Sequence, residues 1–589
     1  VNNLLNNKAP TLPKSENPQE LCENIANFFT DKIRKIRNHL ENIQEQFGNH
    51  QYQEVKLVDE DDYLTSFEPA SEEEVKKVIM SSASKSCCLD PIPTTILKEC
   101  LTVLLPVITR IINMSFKNAK VPTCYKIAAV IPLLKKIFLD PEVFKNLRPV
   151  STLPFVSKTL ERVAGKRLGA HKDRNSLHLK KQSAYREAHS TETALVRITN
   201  DILSEIDHKK CVFLVLLDMS AAFDTVDHTV LLHRLSHRFG IKSEALNWIS
   251  SYLDNRRQFV LVQGCRSAEQ LLDCNVPQGS VLGPGFFGDY DSPVGDIFMK
   301  HGVEYHLYAD DTQVYVSFHP GDEAQALERL EVCINDIRVW MANNYLKLND
   351  DKTEFMILGS KHNLKNVQTT SVTVGDCKVE ASNVVKNIGA TLDQYLKLDK
   401  QVAMTCKSAW YNLFKISRIK QYLSDNQLKS VIHAFVISKI DQNNSLLVGS
   451  PKCLTSKLQS VQNAACKLVC GINRYDKTPP PLAELHWLPI EQRVKYKVLL
   501  LCFKCMNNAG PAYLKELLIP YKPARTLRSS ASNLLTEPKS ATVSYGDRAF
   551  SVAGPKLWNQ LPDNVRNCDS VNSFKSKLKT HLFREAFDL

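Results

Sequence analysis

The chain reads as an α+β protein with a basic, mostly helical C-terminal third, and three observations predict this. Between about residues 71 and 395, short β-branched and aromatic runs alternate with helical stretches, as in VFLVLLDM, TVLLHRLSHRFG and RQFVLVQG. After residue 395 the strand signals fade, and helical periodicity punctuated by proline (Thr478 to Pro481, Gly510-Pro511, Tyr521 to Pro523) takes over. Charge divides at the same place: residues 401–589 hold 27 Lys and Arg against 12 Asp and Glu, or +15, which leaves −3 of the total +12 for the first 400 residues.

The 589 residues give room for three or four domains of about 150 residues each. Apolar runs such as Cys211 to Leu217 and Val498 to Phe503 fall far short of the roughly 20 residues a membrane-spanning helix needs, so no membrane anchor is expected. The chain opens on Val1 without the basic-then-apolar layout of a secretory signal, and we expect it to be cut from something longer. Leu21, Ile25, Phe28, Phe29, Ile33, Ile36 and Leu40 recur at helical spacing and predict a helix over Gln19 to Phe47. The acidic text from Asp59 reads as a linker up to Ser71, which with Glu74 forms a capping box opening the next helix. Seventeen cysteines lack framework spacing and are expected as free thiols. Cys502 and Cys505, with Cys466 and Cys470 upstream, have zinc-like spacing, but they sit in apolar helical text (AACKLVCGI, KVLLLCFKCM) and read as buried thiols. The basic C-terminal third suits a polyanion such as nucleic acid, a solvated basic surface being the alternative.

The chemistry is carried by two elements. Cys211 to Leu217 predicts a buried strand that stops abruptly on Asp218 in LLDMSAAFD. Tyr305 to Tyr308 and Thr312 to Phe318 predict a hairpin whose turn holds Asp310 and Asp311 in YADD. Three carboxylates at one sheet edge repel unless something positive neutralises them, and two oxygen-liganded Mg²⁺ ions meet that need.

LLDMSAAFD, VPQGSVLGP and HLYADDTQVY, in this order, resemble motifs A, B and C of the reverse-transcriptase palm. SKSCCLDPIPTTILKEC, AAVIPLLKK, NLRPVSTLPFVSKTLER, KKQSAYREAHSTETAL, LKLNDDKTEFMILGS, HWLPIEQRVKYK and YGDRAFSVAGPKLWNQLP are similar to segments of non-LTR, LINE-type retrotransposon polymerases of the jockey-like branch. The resemblance covers nearly the whole chain. It implies a right-hand fold: an N-terminal helix and acidic linker (1–70), fingers and a palm with an antiparallel sheet (71–395), a helical thumb (396–475) and the basic C-terminal region (476–589). It also implies roles. Asp218 and Asp310 hold two Mg²⁺ ions, with Mn²⁺ as a substitute, and Asp311 completes the cluster. Phe223 is the aromatic gate that excludes a 2′-hydroxyl. Gln278 and Gly279 form the turn that approaches template base and nucleotide, and Arg148 and Lys135 face the triphosphate. Lys352 is the motif D lysine, a general acid for pyrophosphate, and Gly389 marks the primer-grip turn. The implied partners are an RNA template, a DNA primer or nicked target DNA, and deoxynucleoside triphosphates, in the nucleus and a cytoplasmic ribonucleoprotein. Oligomeric state stays open.

The departures are equally specific. No endonuclease repertoire precedes the polymerase motifs, and no CCHC knuckle or ribonuclease H carboxylate set follows the thumb. After motif B, relatives continue with a PLLFTLYTSPLGD-type run, whereas this chain reads PGFFGDYDSPVGD, with Gly285, Gly288, Asp289 and Asp291 as mismatches. Leu147 and Gln442-Asn443 stand where relatives have Tyr and Tyr-Cys. These changes favour the alternative of a decayed, inactive copy that retains only nucleic-acid binding. A third reading, an RNA-dependent RNA polymerase, shares the carboxylates but calls for a smaller or polar residue at Phe223.

Overall fold

The computed structural model describes residues 15–47, 54–136, 138–473, 476, 481–522 and 533–588. The proline punctuation at 478–480 and 523 lies outside them. Among the described residues, no helix is long and apolar enough to cross a membrane.

Helix α1 (Pro18–Phe47) begins one residue before the expected helix. Residues 54–70, expected as linker, are instead packed. Val58, Phe67 and Ala70 are buried in the main core, Leu57 N–H donates to the Arg238 carbonyl, and Leu64 bridges to Ile241. The apolar residues are too few and too irregularly spaced to announce this. Ser71 caps α2 (Glu72–Ser81) by accepting from Glu74 N–H. The box is half made, because the Glu74 carboxylate bonds Arg167 at 2.7 and 2.9 Å.

The strands are β1 (Ile127–Leu134), β2 (Leu147–Thr152), β3 (Cys211–Leu217), β4 (Arg256–Val262), β5 (Cys265–Arg266), β6 (Gln270–Leu272), β7 (Glu304–Tyr308), β8 (Asp311–Phe318), β9 (Glu354–Leu358), β10 (Ser371–Val374), β11 (Cys377–Glu380), β12 (Val384–Asn387) and β13 (Ala390–Asp393). The fingers sheet has the order β2-β1-β4-β5, with β6 on β4, and β1 runs parallel to β4. The palm sheet, order β7-β8-β3-β9, is antiparallel throughout. The hairpins β10–β11 and β12–β13 form two smaller sheets.

Central strand β3 is apolar at every position because both faces of the palm sheet are covered. Phe213, Val215 and Leu217 face one core with Phe318 and Phe355, while Val212 and Leu214 face a second with Tyr315, Met356 and Leu358. That second core contains the helix Thr191–Asp207, the thumb helices Asp399–Ile419 and Lys452–Val469, and the C-terminal helices Ile490–Met506, Phe550–Asn559 and Val571–Phe587. The C-terminal region therefore shares its core with palm and thumb. Buried polar bonds fix it there. Tyr513 Oη bonds Thr193 Oγ1 at 2.9 Å and Ser183 Oγ at 2.8 Å, and Ser183 Oγ reaches His306 Nε2 on β7 at 2.8 Å. The Asp207 carboxylate accepts from the backbone N–H of Ala541 and Thr542. Cys466, Cys502 and Cys505 are buried in this core, and burial pushes the Cys466 and Cys505 thiols up to about 12.

Candidate active site at the end of the palm sheet

Antiparallel pairing builds the acidic end of the palm sheet. Leu217 on β3 pairs with Thr312 on β8, so the next register step sets Asp218 opposite Asp311. Tyr308 pairs with Asp311, which leaves a turn of two residues, Ala309 and Asp310. The expectation that both aspartates lie in the turn is thereby corrected: Asp311 is the first residue of β8, because Ala309 takes a φ of +57° and closes the hairpin one residue sooner. Gln182 holds the turn, its Oε1 accepting from Ala309 N–H at 3.2 Å.

The carboxylates disturb one another. Burial lifts Asp310 above the usual carboxyl range, and the Asp218 charge adds to it. Asp311 is pushed up to about 6, first by the protein crowded around its carboxylate although the residue keeps solvent access, then by the charges of Asp310 and Asp218. The Asp218 carboxylate accepts from Lys352 Nζ at 2.6 Å and from Asn349 Nδ2 at 3.2 Å. Among the described residues, no three acidic, His or Cys side chains gather around one point closely enough to enclose an ion. The donor set is nevertheless all oxygen, negative, and already neutralised by a cation, which fits a hard divalent ion.

Gly279 has φ +128°, and a Cβ there would lie 2.3 Å from the Ser151 carbonyl oxygen. Only glycine allows that approach between the 278–279 turn and β2, where Ser151 N–H also donates to the Gln278 carbonyl at 2.9 Å. The following helix, Gly283–Asp291, is aimed by Glu161, whose buried Oε2 accepts from Val281 and Leu282 N–H at 2.7 and 3.1 Å. Phe223 stacks on Phe287 at 4.8 Å and receives the ring edge of Tyr185 at 6.5 Å. Its carbonyl accepts from Val276 N–H, which ties it to the segment leading into Gln278. Lys135 sits among the charges of Lys32, Lys352 and Arg148; burial first, then these neighbours, hold its ammonium below the ordinary lysine value.

Residues 135–392 match the family described as reverse transcriptase (RNA-dependent DNA polymerase). The match covers 258 of the 589 residues, less than half of the chain, and is to that domain alone. The chain is 24% identical over 471 residues to a probable RNA-directed DNA polymerase from transposon BS of Drosophila melanogaster, covering 78% of this chain and 51% of that one. It is 26% identical over 416 residues to the corresponding probable polymerase from transposon X-element of the same fly, covering 69% and 44%. The polymerase from its mobile element jockey is 27% identical over 287 residues, covering 48% and 30%. The chain thus spans about half the length of the first two relatives. A solved apo telomerase from Candida tropicalis, truncated from its C-terminal domain, gives a TM-score of 0.31 at 11% identity over 51% of this chain and 60% of that one, too low to bear on the argument.

The matched stretch brings Asp218, Asp310, Asp311, Lys352, Lys135 and Arg148 into one charge-coupled group, with Phe223, Gln278 and Gly279 beside it. Gly389 stands apart, in the tight turn of β12–β13 with φ +89°. Sequence reasoning gave no role to Gln182, Glu161 or Tyr185. Tyr185 is 64% exposed, has φ +58°, and lies within charge range of Asp310. It also missed a stripe on the thumb helix Asp399–Ile419, where Met404, Trp410, Tyr411 and Phe414 are exposed and Lys415 and Arg418 lie over the Tyr411 and Phe414 rings at 4.5 and 4.7 Å. Helical spacing of aromatics ahead of lysines was the available signal.

Three departures resolve differently. Leu147 is buried against α1 in an apolar cluster with Leu21 and Phe29, so it costs no packing. Asp289 is ion-paired with Lys172 at 2.6 Å, and a Cβ at Gly285 or Gly288 would meet nothing within 4 Å, so these positions open a groove rather than strain the helix. Asp291 is 1% exposed and neither carboxyl oxygen has a hydrogen-bond partner. In the thumb, Asn443 takes φ +57° and its buried Nδ2 is unpartnered.

Proposed function

We propose that this chain is the polymerase part of a non-LTR retrotransposon protein, an RNA-directed DNA polymerase copying element RNA into DNA from a primer or nicked target end. The observation that carries the reading is the β3–β8 register, with Asp218 opposite Asp311 and beside the Asp310 turn. The exposed aromatic and cationic stripe of the thumb helix supports it, since cations and exposed rings suit a nucleic-acid strand.

In this reading the primer 3′-hydroxyl gives up its proton to solvent and attacks the α-phosphorus of the incoming nucleotide, a new O–P bond forms, and the bond from that phosphorus to the α,β-bridging oxygen breaks as pyrophosphate leaves. Asp218, Asp310 and Asp311 are the residues to hold two Mg²⁺ ions, or Mn²⁺, which supply charge neutralisation and a lowered hydroxyl pKa when bound. Lys135 and Arg148 grip phosphate oxygens. Lys352, released from Asp218 once that carboxylate is otherwise neutralised, donates its proton to the departing pyrophosphate and regains one from solvent. Phe223 closes the space beneath the sugar, and the Gln278–Gly279 turn lies along the nascent pair.

A primer-extension assay on an RNA template with Mg²⁺ tests this. The native chain extends the primer, and Asp310→Asn abolishes extension while template binding by gel shift stays within about twofold, because a metal ligand and no phosphate contact is lost. Retained extension in Asp310→Asn overturns the assignment. The unpartnered Asp291 favours the second reading, a decayed copy, which predicts template binding without extension by the native chain.

A further inference from the structure

α1 lies outside every motif quoted for the polymerase, yet it joins fingers to palm. Its first half rests on the fingers sheet: Gln19 Nε2 donates to the Arg266 carbonyl at 2.9 Å, Cys22 Sγ to the Cys265 carbonyl at 3.2 Å, and Thr30 Oγ1 to Gln270 Oε1 at 2.7 Å. Its second half is pinned to the palm. Arg37 pairs with Asp227 at 2.8 Å with its guanidinium 4.1 Å over the Tyr345 ring, and Gln44 Nε2 donates to the Ala342 carbonyl at 2.7 Å. The turn between these anchors, at Phe28–Ile33, lines a cavity of about 110 Å³ together with Lys135, Lys145, Asp224 and Gln278. Lys32 is exposed on this turn.

We propose that Lys32 is a nucleotide-binding residue, a further cation delivered by α1 to the phosphates of the incoming deoxynucleoside triphosphate. This rests on the polymerase reading of the same site. Two observations carry it. Lys32 shares its cavity with Lys135 and Gln278, the residues assigned to triphosphate and nascent pair. Its charge also acts on Lys135 together with those of Lys352 and Arg148, against the single opposing charge of Asp218, and a polyanion brought among these four cations relieves the crowding. The competing role is structural: Asp224, half-buried, lines the same cavity, the protein packed around its carboxyl pushes it up to about 6, and Lys32 is the charge that opposes this.

The test uses the full chain on an RNA template annealed to a dideoxy-terminated DNA primer, with Mg²⁺, titrating the next correct nucleotide and reading complex stability by gel shift, so that no chemistry is needed. Lys32→Ala weakens nucleotide affinity about tenfold, the loss expected for one charged hydrogen bond. Template–primer affinity without nucleotide and the melting temperature stay unchanged, and Lys32→Arg restores binding. Lys35→Ala, exposed on the same helix, is the neutral control. Unchanged nucleotide affinity in Lys32→Ala overturns the proposal, as does weakened template–primer binding in its place. A lower melting temperature that Asp224→Asn restores assigns Lys32 to the counterion role and also overturns it. If the native chain binds template–primer but never responds to nucleotide, it is the polymerase reading that fails.

Discussion

Asp291→Thr should stabilise the protein, and more at neutral pH than near pH 4. The carboxyl is 1% exposed and both of its oxygens lack partners. Burial raises its pKa well above the usual carboxyl value of 3.8, the Asp310 charge adds to the rise, and Arg234 opposes it. Arg234 is itself committed, to Glu54 at 2.5 Å, to Asn344 Oδ1 at 2.6 Å and to the Tyr290 carbonyl. The native state therefore keeps a proton that the unfolded chain releases above about pH 4. Stability falls as pH rises through that window, by about 1.4 kcal/mol per pH unit until the folded pKa is reached. Unmade hydrogen bonds of a buried polar group add about 1–3 kcal/mol. Threonine has nearly the same volume, cannot ionise, and can return its hydroxyl to the Phe287 carbonyl one helical turn back. The unmade hydrogen bonds alone make the gain about 1–3 kcal/mol, or about 2–12 °C if the palm melts as a domain of 150–250 residues, and it grows as pH rises. Thermal melts of both proteins at pH 4, 6 and 8 measure it, and the difference should widen with pH. Equal melting at all three pH values, or a destabilised variant, would show that Asp291 has a compensating partner. Asp289 calls for the opposite treatment, since its removal would strand the buried Lys172 ammonium.

Phe223→Val should admit ribonucleotides, read as the ratio of kcat/KM for ribo- and deoxynucleotides, at a stability cost of about 1 kcal/mol from the lost stack on Phe287; unchanged sugar selectivity would remove Phe223 from the gate. Gly279→Ala should cut extension roughly 10–100-fold by pushing β2 away at Ser151, whereas Gly321→Ala, with φ +109° but nothing within 4 Å, should leave extension intact; equal effects would mean that strain and not the clash decides. His306, buried and held down to about 3 by burial and then by Arg197 and Lys181, refuses a proton that the unfolded chain accepts below pH 6.5, so stability falls as pH drops. Between pH 7 and pH 5 that loss is about 2 kcal/mol, and urea midpoints should show it in the native chain and not in His306→Gln.

Local signals carried the sequence reading furthest. The run ending at Asp218, the YADD hairpin and the α1 periodicity each declare themselves within ten to thirty residues, and the elements appear within a residue or two of expectation. Ownership of the turn was misjudged because a positive φ at Ala309 is invisible in composition. Gln182, Glu161 and Lys32 were beyond reach for another reason. Each acts on a segment more than 100 residues away, and a lone polar residue on a helix or loop carries no mark of the backbone amide or charge it will meet. The placement of the C-terminal region was hidden likewise, since the +15 of residues 401–589 describes surface while the attachment depends on single buried groups such as Tyr513.

That attachment has a consequence for synthesis. The apolar face of Thr191–Asp207 is covered by helices that begin at Ile490 and end at Phe587. At about 5–20 residues per second, the ribosome needs roughly 20–70 s to travel from Asp207 to the start of the last helix. Throughout that interval the part of this face that those helices cover stays exposed. The second core closes only once residues up to Phe587 have emerged, long after the strands that carry the three carboxylates.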